Sequence, residues 1–243
     1  MAERGPRRAR VPFPGVAITW PPRRPRRPAG GWWLDGLLLA GLAGLTLALA
    51  GGWLLDTDLA VRDWADAHRP APAYWVARVL NMLGQGGLVL LPLATLLGLA
   101  VMWRRRVLWP VLPVVSALLL TGVTIGPMKF WADRGYPHNW ALPHPEELFS
   151  DPVGGTAYPS GHVANAIVWY GVMALFLRAL APVPDRMILA VRVVPPVVVF
   201  CVTTYLGFHW ITDSVAGLLL GLLLDRLLSR VPWQRLRSRR RPA

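Results

Sequence analysis

Two short strings place a titratable side chain beside backbone suited to an anion. Tyr158-Pro159-Ser160-Gly161-His162 stands where a polar stretch gives way to an apolar run, Val163 to Leu180. A Pro-Ser-Gly turn opening a helix leaves backbone N–H groups unpaired, and with the helix dipole these favour a phosphate-like charge. Gly161 allows close approach to the backbone, and His162 adds an imidazole. The second string, His209-Trp210-Ile211-Thr212-Asp213, heads the run Ser214 to Leu228. If residues 209–213 are helical, His209 and Asp213 lie one turn apart on one face. A carboxylate placed there accepts from one ring nitrogen and leaves the other as nucleophile or base. A third element is Lys129, near the end of another apolar run and followed by Arg134, Tyr136 and Pro137. Each element alone has a plainer reading: a cap followed by an incidental histidine, a capping pair, a cation snorkelling to head groups. All three, however, stand at the boundary of an apolar run.

The elements that must position them are membrane spans. Of 243 residues, 54% are hydrophobic and 13 are Trp, which suits a polytopic all-α membrane protein better than one soluble core. With about 20 residues needed per crossing, six spans are expected, at roughly 32–54, 76–102, 107–128, 161–181, 187–208 and 210–229. The flanking segments, 1–31 and 230–243, are rich in Arg; the first is also rich in Pro and reads as disordered. A signal peptide is the competing reading of the first apolar stretch, but its length favours an uncleaved span. The net charge of +13 is concentrated in these flanks and in short loops, a pattern of membrane topology rather than of a nucleic-acid groove. The cationic tails, Arg104-Arg105-Arg106 and the 178–192 turn fall on one side of the spans. By the positive-inside rule both termini are then cytoplasmic, in the cytoplasmic membrane. Lys129, Ser160, His162, His209 and Asp213 all fall on the extracytoplasmic side.

Cys201 reads as a small buried apolar residue. Asp35 and Arg192, near span ends, read as snorkelling charges. The polar segment Trp140 to Gly155 is long enough to be a lid or a passive surface loop. His138 and His144 read as solvated loop histidines. No Cys/His cluster or carboxylate pair has metal-ligand spacing, so no metal and no cofactor is expected.

In this order the three clusters resemble the type 2 phosphatidic acid phosphatase family, the membrane lipid-phosphate phosphatases related to vanadium haloperoxidases. Its pattern is Lys-x6-Arg-Pro, Pro-Ser-Gly-His, then Ser-Arg-x5-His-x3-Asp. The chain matches with Lys129, Pro137, Pro159, Ser160, Gly161, His162, His209 and Asp213. It departs where the first motif's Arg falls on Tyr136 and the third motif's Ser-Arg falls on Val202-Thr203. Arg134 is a stand-in for the first arginine, and nothing nearby in sequence replaces the second. The resemblance implies a metal-independent hydrolase acting on a lipid (di)phosphate such as polyprenyl diphosphate or phosphatidate. It makes His209 the nucleophile, oriented by Asp213 and phosphorylated in passing, and His162 the acid and then the base. Lys129, Ser160 and Gly161, with Arg134 and Tyr136, hold the phosphoryl oxygens. Two alternatives stay open: a phosphotransferase, and a lipid-phosphate-binding protein weakened by the two absent arginines. The expected partners are the lipid phosphate and membrane lipids, with no nucleic acid.

Overall fold

The computed structural model describes residues 31–149 and 155–234. The basic segments expected at 1–31 and 230–243 lie outside the described residues except at their inner ends. All regular structure among the described residues is helical: α1 (Trp32–Ala50), α2 (Leu55–Ala67), α3 (Ala71–Leu80), α4 (Leu91–Arg105), α5 (Val111–Ala132), α6 (Gly161–Leu180), α7 (Asp185–Tyr205) and α8 (Ile211–Arg230). A 3-10 turn, Asn81–Gly84, and a π turn, Gly86–Leu90, lead into α4. Five segments are long and apolar enough to cross a bilayer: α1, Gly86–Arg105, α5, α6 and α7. Helix α8 is 20 residues long but carries Asp213, Asp225, Arg226 and Arg230.

The second expected span, 76–102, is interrupted. Asn81, Gly84, Gly86 and Gly87 are poor helix formers, and the chain turns there before the crossing begins at Gly86. The preceding residues form α2 and α3, which lie against the end of α7. Nor is His209 helical, because α8 begins only at Ile211.

Helix α6 is the core of the bundle. It is apolar on every face, and Val163, Ala164, Ala166, Val168, Trp169 and Phe176 are all buried. It packs on α8, α7, α4 and α5. The contact with α8 is close enough that a Cβ at Gly217 would lie 2.5 Å from the Ser160 carbonyl oxygen. The outer faces of α1, α4, α5 and α7 expose Leu47, Leu96, Val123 and Val197, as lipid-facing surfaces do. Cys201 lies on that outer surface, contrary to expectation: its face of α7 turns away from α6.

The charges near span ends are paired rather than snorkelling. Asp35 on α1 accepts from Arg226 at 2.7 Å and from Arg230, and Arg192 meets Asp225 at 2.5 Å. The Asp35 pairs bring the start of α1 to the end of α8, so the described chain enters and leaves the bundle at one end. The other end gathers α2, α3, the end of α5, the start of α6 and the α7–α8 joint.

Candidate active site

The end of the bundle opposite the described chain ends holds a cavity of about 860 Å³. Three main segments converge on it. Helix α5 carries Lys129 into its last turn. Helix α6 starts at Gly161, with Ser160 in extended conformation as its N-cap. The five residues between α7 and α8 carry His209. Lys129, Tyr136, Gly161, His162 and His209 all line the cavity. The His162 and His209 rings meet edge to face, with centroids 5.6 Å apart, and the Tyr136 ring lies 6.0 Å from His209. The Lys129 ammonium is tethered to the Thr156 carbonyl. The Tyr136 hydroxyl lies 2.8 Å from Thr156 Oγ1.

Three sequence-derived candidates do not line the cavity. Ser160 is fully buried, and its hydroxyl accepts from the Val163 N–H at 3.4 Å. Its own N–H donates to the Asp213 carbonyl at 2.9 Å, fastening α6 to α8. Asp213 is buried behind His209, with Oδ2 3.6 Å from His209 Nδ1. That is charge–charge range but beyond a hydrogen bond, and Nδ1 has no hydrogen-bond partner among the described residues. The same Oδ2 accepts from the Trp210 N–H at 3.0 Å.

Arg134, the stand-in for the first motif arginine, is the main correction. Its guanidinium is fully buried and committed to other partners. Nε donates to the Glu146 carbonyl at 2.9 Å, Nη1 to Thr212 Oγ1 at 2.8 Å and Asp213 Oδ1 at 2.6 Å, and Nη2 to Asp58 Oδ2 at 2.5 Å. Asp58, on α2, also accepts from the Thr212 N–H at 3.0 Å and its hydroxyl at 2.6 Å. Arg134 thus braces the start of α8 instead of lining the cavity. Burial works against its charge, but the Asp213 and Asp58 carboxylates outweigh that and hold its proton more tightly than usual. Burial pushes the Asp58 carboxyl up, with Arg134 opposing. Burial likewise pushes the His209 imidazole down, with the Asp213 carboxylate opposing.

The described part of the loop from Trp140 onward does not roof the cavity. Its described residues, 140–149, contribute nothing to the lining. Instead they pack beside Arg134, where the Phe149 N–H donates to the Ala132 carbonyl at 2.8 Å. Residues 150–154 lie outside the described residues.

Several lining residues carry no motif signal: Arg69, Gln85, His138 and Asn165. Gln85 Nε2 lies 3.2 Å from His162 Nε2. Asn165 donates to the Gly161 carbonyl at 2.8 Å. His138 is a wall residue of the cavity, not merely a solvated loop side chain, and its Nε2 lies 3.0 Å from Asp66 Oδ2. Only a hydrogen-bonding residue type marks these positions in sequence, and surface loops carry many of those.

The family model of the PAP2 superfamily matches residues 110–237, just over half of the chain. The chain belongs to the PAP2 superfamily. A curated relative, phosphatidylglycerophosphatase B of Bacillus subtilis strain 168, is 33% identical over 138 residues, or 56% of this chain. The matched stretch spans 64% of that relative's length. The fold is also similar to the crystal structure of a transmembrane PAP2-type phosphatidylglycerolphosphate phosphatase from Bacillus subtilis, with a TM-score of 0.70 and 25% identity. That likeness covers 86% of this chain and all of the other. The PAP2 match takes in Lys129, the 158–162 string and the 209–213 string, whereas α1, α2, α3 and α4 lie outside it.

Proposed function

We propose that this PAP2 protein is a lipid-phosphate phosphatase working without a metal. The observation that carries the reading is the pair of facing imidazoles, His162 and His209, in one cavity with the Lys129 ammonium. In the proposed reaction the free ring nitrogen of His209 attacks phosphorus, and a P–N bond forms as the P–O bond to the lipid breaks. His162 gives its proton to the leaving oxygen. Neutral again, it takes a proton from water, whose oxygen then displaces His209 and releases inorganic phosphate. Fixed donors around developing phosphoryl charge are the main source of acceleration in such chemistry. Lys129 and the N–H groups of Gly161 and His162, at the start of α6, supply that charge and those dipoles. Asp213 faces Nδ1 of the nucleophile, and an interaction of 3.6 Å is one that tightens as positive charge grows on the ring.

The proposed substrate is a lipid whose head group ends in a phosphate. The name of the Bacillus relative supports phosphatidylglycerophosphate, beside polyprenyl diphosphate and phosphatidate. Taken as a sixth crossing, α8 places both termini on one side, and the Arg-rich flanks favour the cytoplasm. The cavity then opens on the extracytoplasmic face of the cytoplasmic membrane.

The test is phosphate release by purified protein in detergent with EDTA present, using these three lipids and His209→Ala as control. Release that disappears in H209A is the expected result. Turnover that survives in H209A overturns the phosphohistidine route. Absence of release by folded wild-type protein overturns the phosphatase reading in favour of a binding protein. Appearance of the phosphoryl group on another acceptor identifies a transferase.

A further inference from the structure

We propose that Arg69 is a phosphate-binding residue of this cavity, supplying from the α2–α3 turn the guanidinium that the family pattern puts at Tyr136 and Thr203. This rests on the phosphatase reading above. Arg69 precedes the family-matched segment by some forty residues of sequence, so no motif announces it. Yet Arg69 lines the cavity together with Lys129 and His209.

Two contacts hold the guanidinium in place. Nη1 donates to the Tyr205 carbonyl at 2.8 Å, and Nη2 bonds Asp66. The Tyr205 hydroxyl in turn donates to the His68 carbonyl at 2.9 Å. The turn carrying Arg69 is therefore fastened to the end of α7 in both directions. Tyr205 is the last residue of α7, two beyond Thr203. Thr203 itself is fully buried, its hydroxyl bonded to the Val199 carbonyl at 2.8 Å. A cation thus reaches the same helix end at which the pattern's arginine would stand, but from a different element.

The chemistry fits a phosphoryl group. A guanidinium has five N–H donors, and the two contacts above leave others for the cavity. Asp66 offsets part of its charge, but that carboxylate is shared with His138 at 3.0 Å. The Arg69 side chain is only 16% exposed, so a bond to phosphate there is weakly screened. Lys129 acts as a point charge, whereas Arg69 presents a planar fork able to take two phosphoryl oxygens.

The test compares Arg69→Gln, Arg69→Lys and Tyr205→Phe with wild type. It reads lipid phosphate release, orthovanadate binding by calorimetry and melting temperature. R69Q is expected to lower kcat/KM by roughly 10²–10³-fold and to weaken orthovanadate binding by at least about tenfold. R69K should recover part of the binding and less of the rate. Y205F removes the hydroxyl bond to His68 while leaving the carbonyl that holds Arg69, so its activity should stay within about threefold while its melting temperature falls. Wild-type activity and vanadate binding in folded R69Q would overturn the proposal, as would equal losses in Y205F and R69Q. If wild type releases no phosphate but R69Q still weakens orthovanadate binding, the phosphatase reading fails and the Arg69 site stands. If wild type neither releases phosphate nor binds orthovanadate, both fail.

Discussion

Arg134 and Asp213 form an ion pair of 2.6 Å in which neither side chain is exposed. Asp58 completes it from the other side at 2.5 Å. Removing one member of such a cluster strands charge in the interior, at a cost of about 3–5 kcal/mol. Arg134→Gln is therefore expected to destabilise the protein by about that amount and to lower turnover, because Asp213 loses the group that holds it behind His209. Denaturant unfolding in detergent, run beside phosphate release, checks both. An R134Q protein as stable as wild type but unable to bind orthovanadate would instead assign the guanidinium to the substrate.

His209 gives the pH dependence a sign. Burial holds its imidazole below the ordinary histidine value, which is about 6.5. Between the folded and unfolded values the unfolded chain binds the extra proton, so stability falls as pH drops through about 6.5, by at most about 1.4 kcal/mol per pH unit. The loss ends once the folded value is passed. A neutral ring is also what attack on phosphorus requires, so the acid limb of kcat/KM is expected below about pH 6.5. A pH–rate profile and a pH series of unfolding curves test this; an acid limb above that value would show that another group controls it.

Gln85 lies 3.2 Å from His162 Nε2 and fixes the plane of a ring that must both give and take a proton. Gln85→Leu keeps the size and removes the hydrogen bond. The expected result is a fall in kcat of about tenfold, equivalent to about 1.4 kcal/mol, with little change in melting temperature. Steady-state kinetics on the preferred lipid measure it, and an unchanged kcat would remove Gln85 from the proton path.

Gly207, between α7 and His209, has a positive φ of 69°. A Cβ there would lie 2.2 Å from His138 Cε1. Gly207→Ala thus combines left-handed strain with a clash against a cavity wall, and is expected to cost about 1–3 kcal/mol. Lowered kcat/KM should accompany the lowered melting temperature, because the same joint carries His209.

The site is legible in sequence to the extent that hydropathy is. An apolar run long enough to cross a bilayer must put its ends at the two interfaces, so chain direction alone brings Lys129, His162 and His209 to one end. The interrupted stretch around Gly84 and Gly86 was hidden by the apolar residues on either side, which satisfy a hydropathy count whether or not the helix is continuous.

By itself, then, the sequence determined an all-helical membrane bundle and which end of it carries the histidines, because both follow from local composition read along the chain. Which polar group meets which was decided only by tertiary structure. Asp58 bonds Thr212 and Arg69 bonds Tyr205 across more than a hundred residues, and no spacing rule reaches that far. Arg134 turns inward because the chain leaves α5 through a left-handed Asp133, φ 44°, and because two buried carboxylates await it there. A buried charge takes the partners that packing brings to it, whatever its place in a motif.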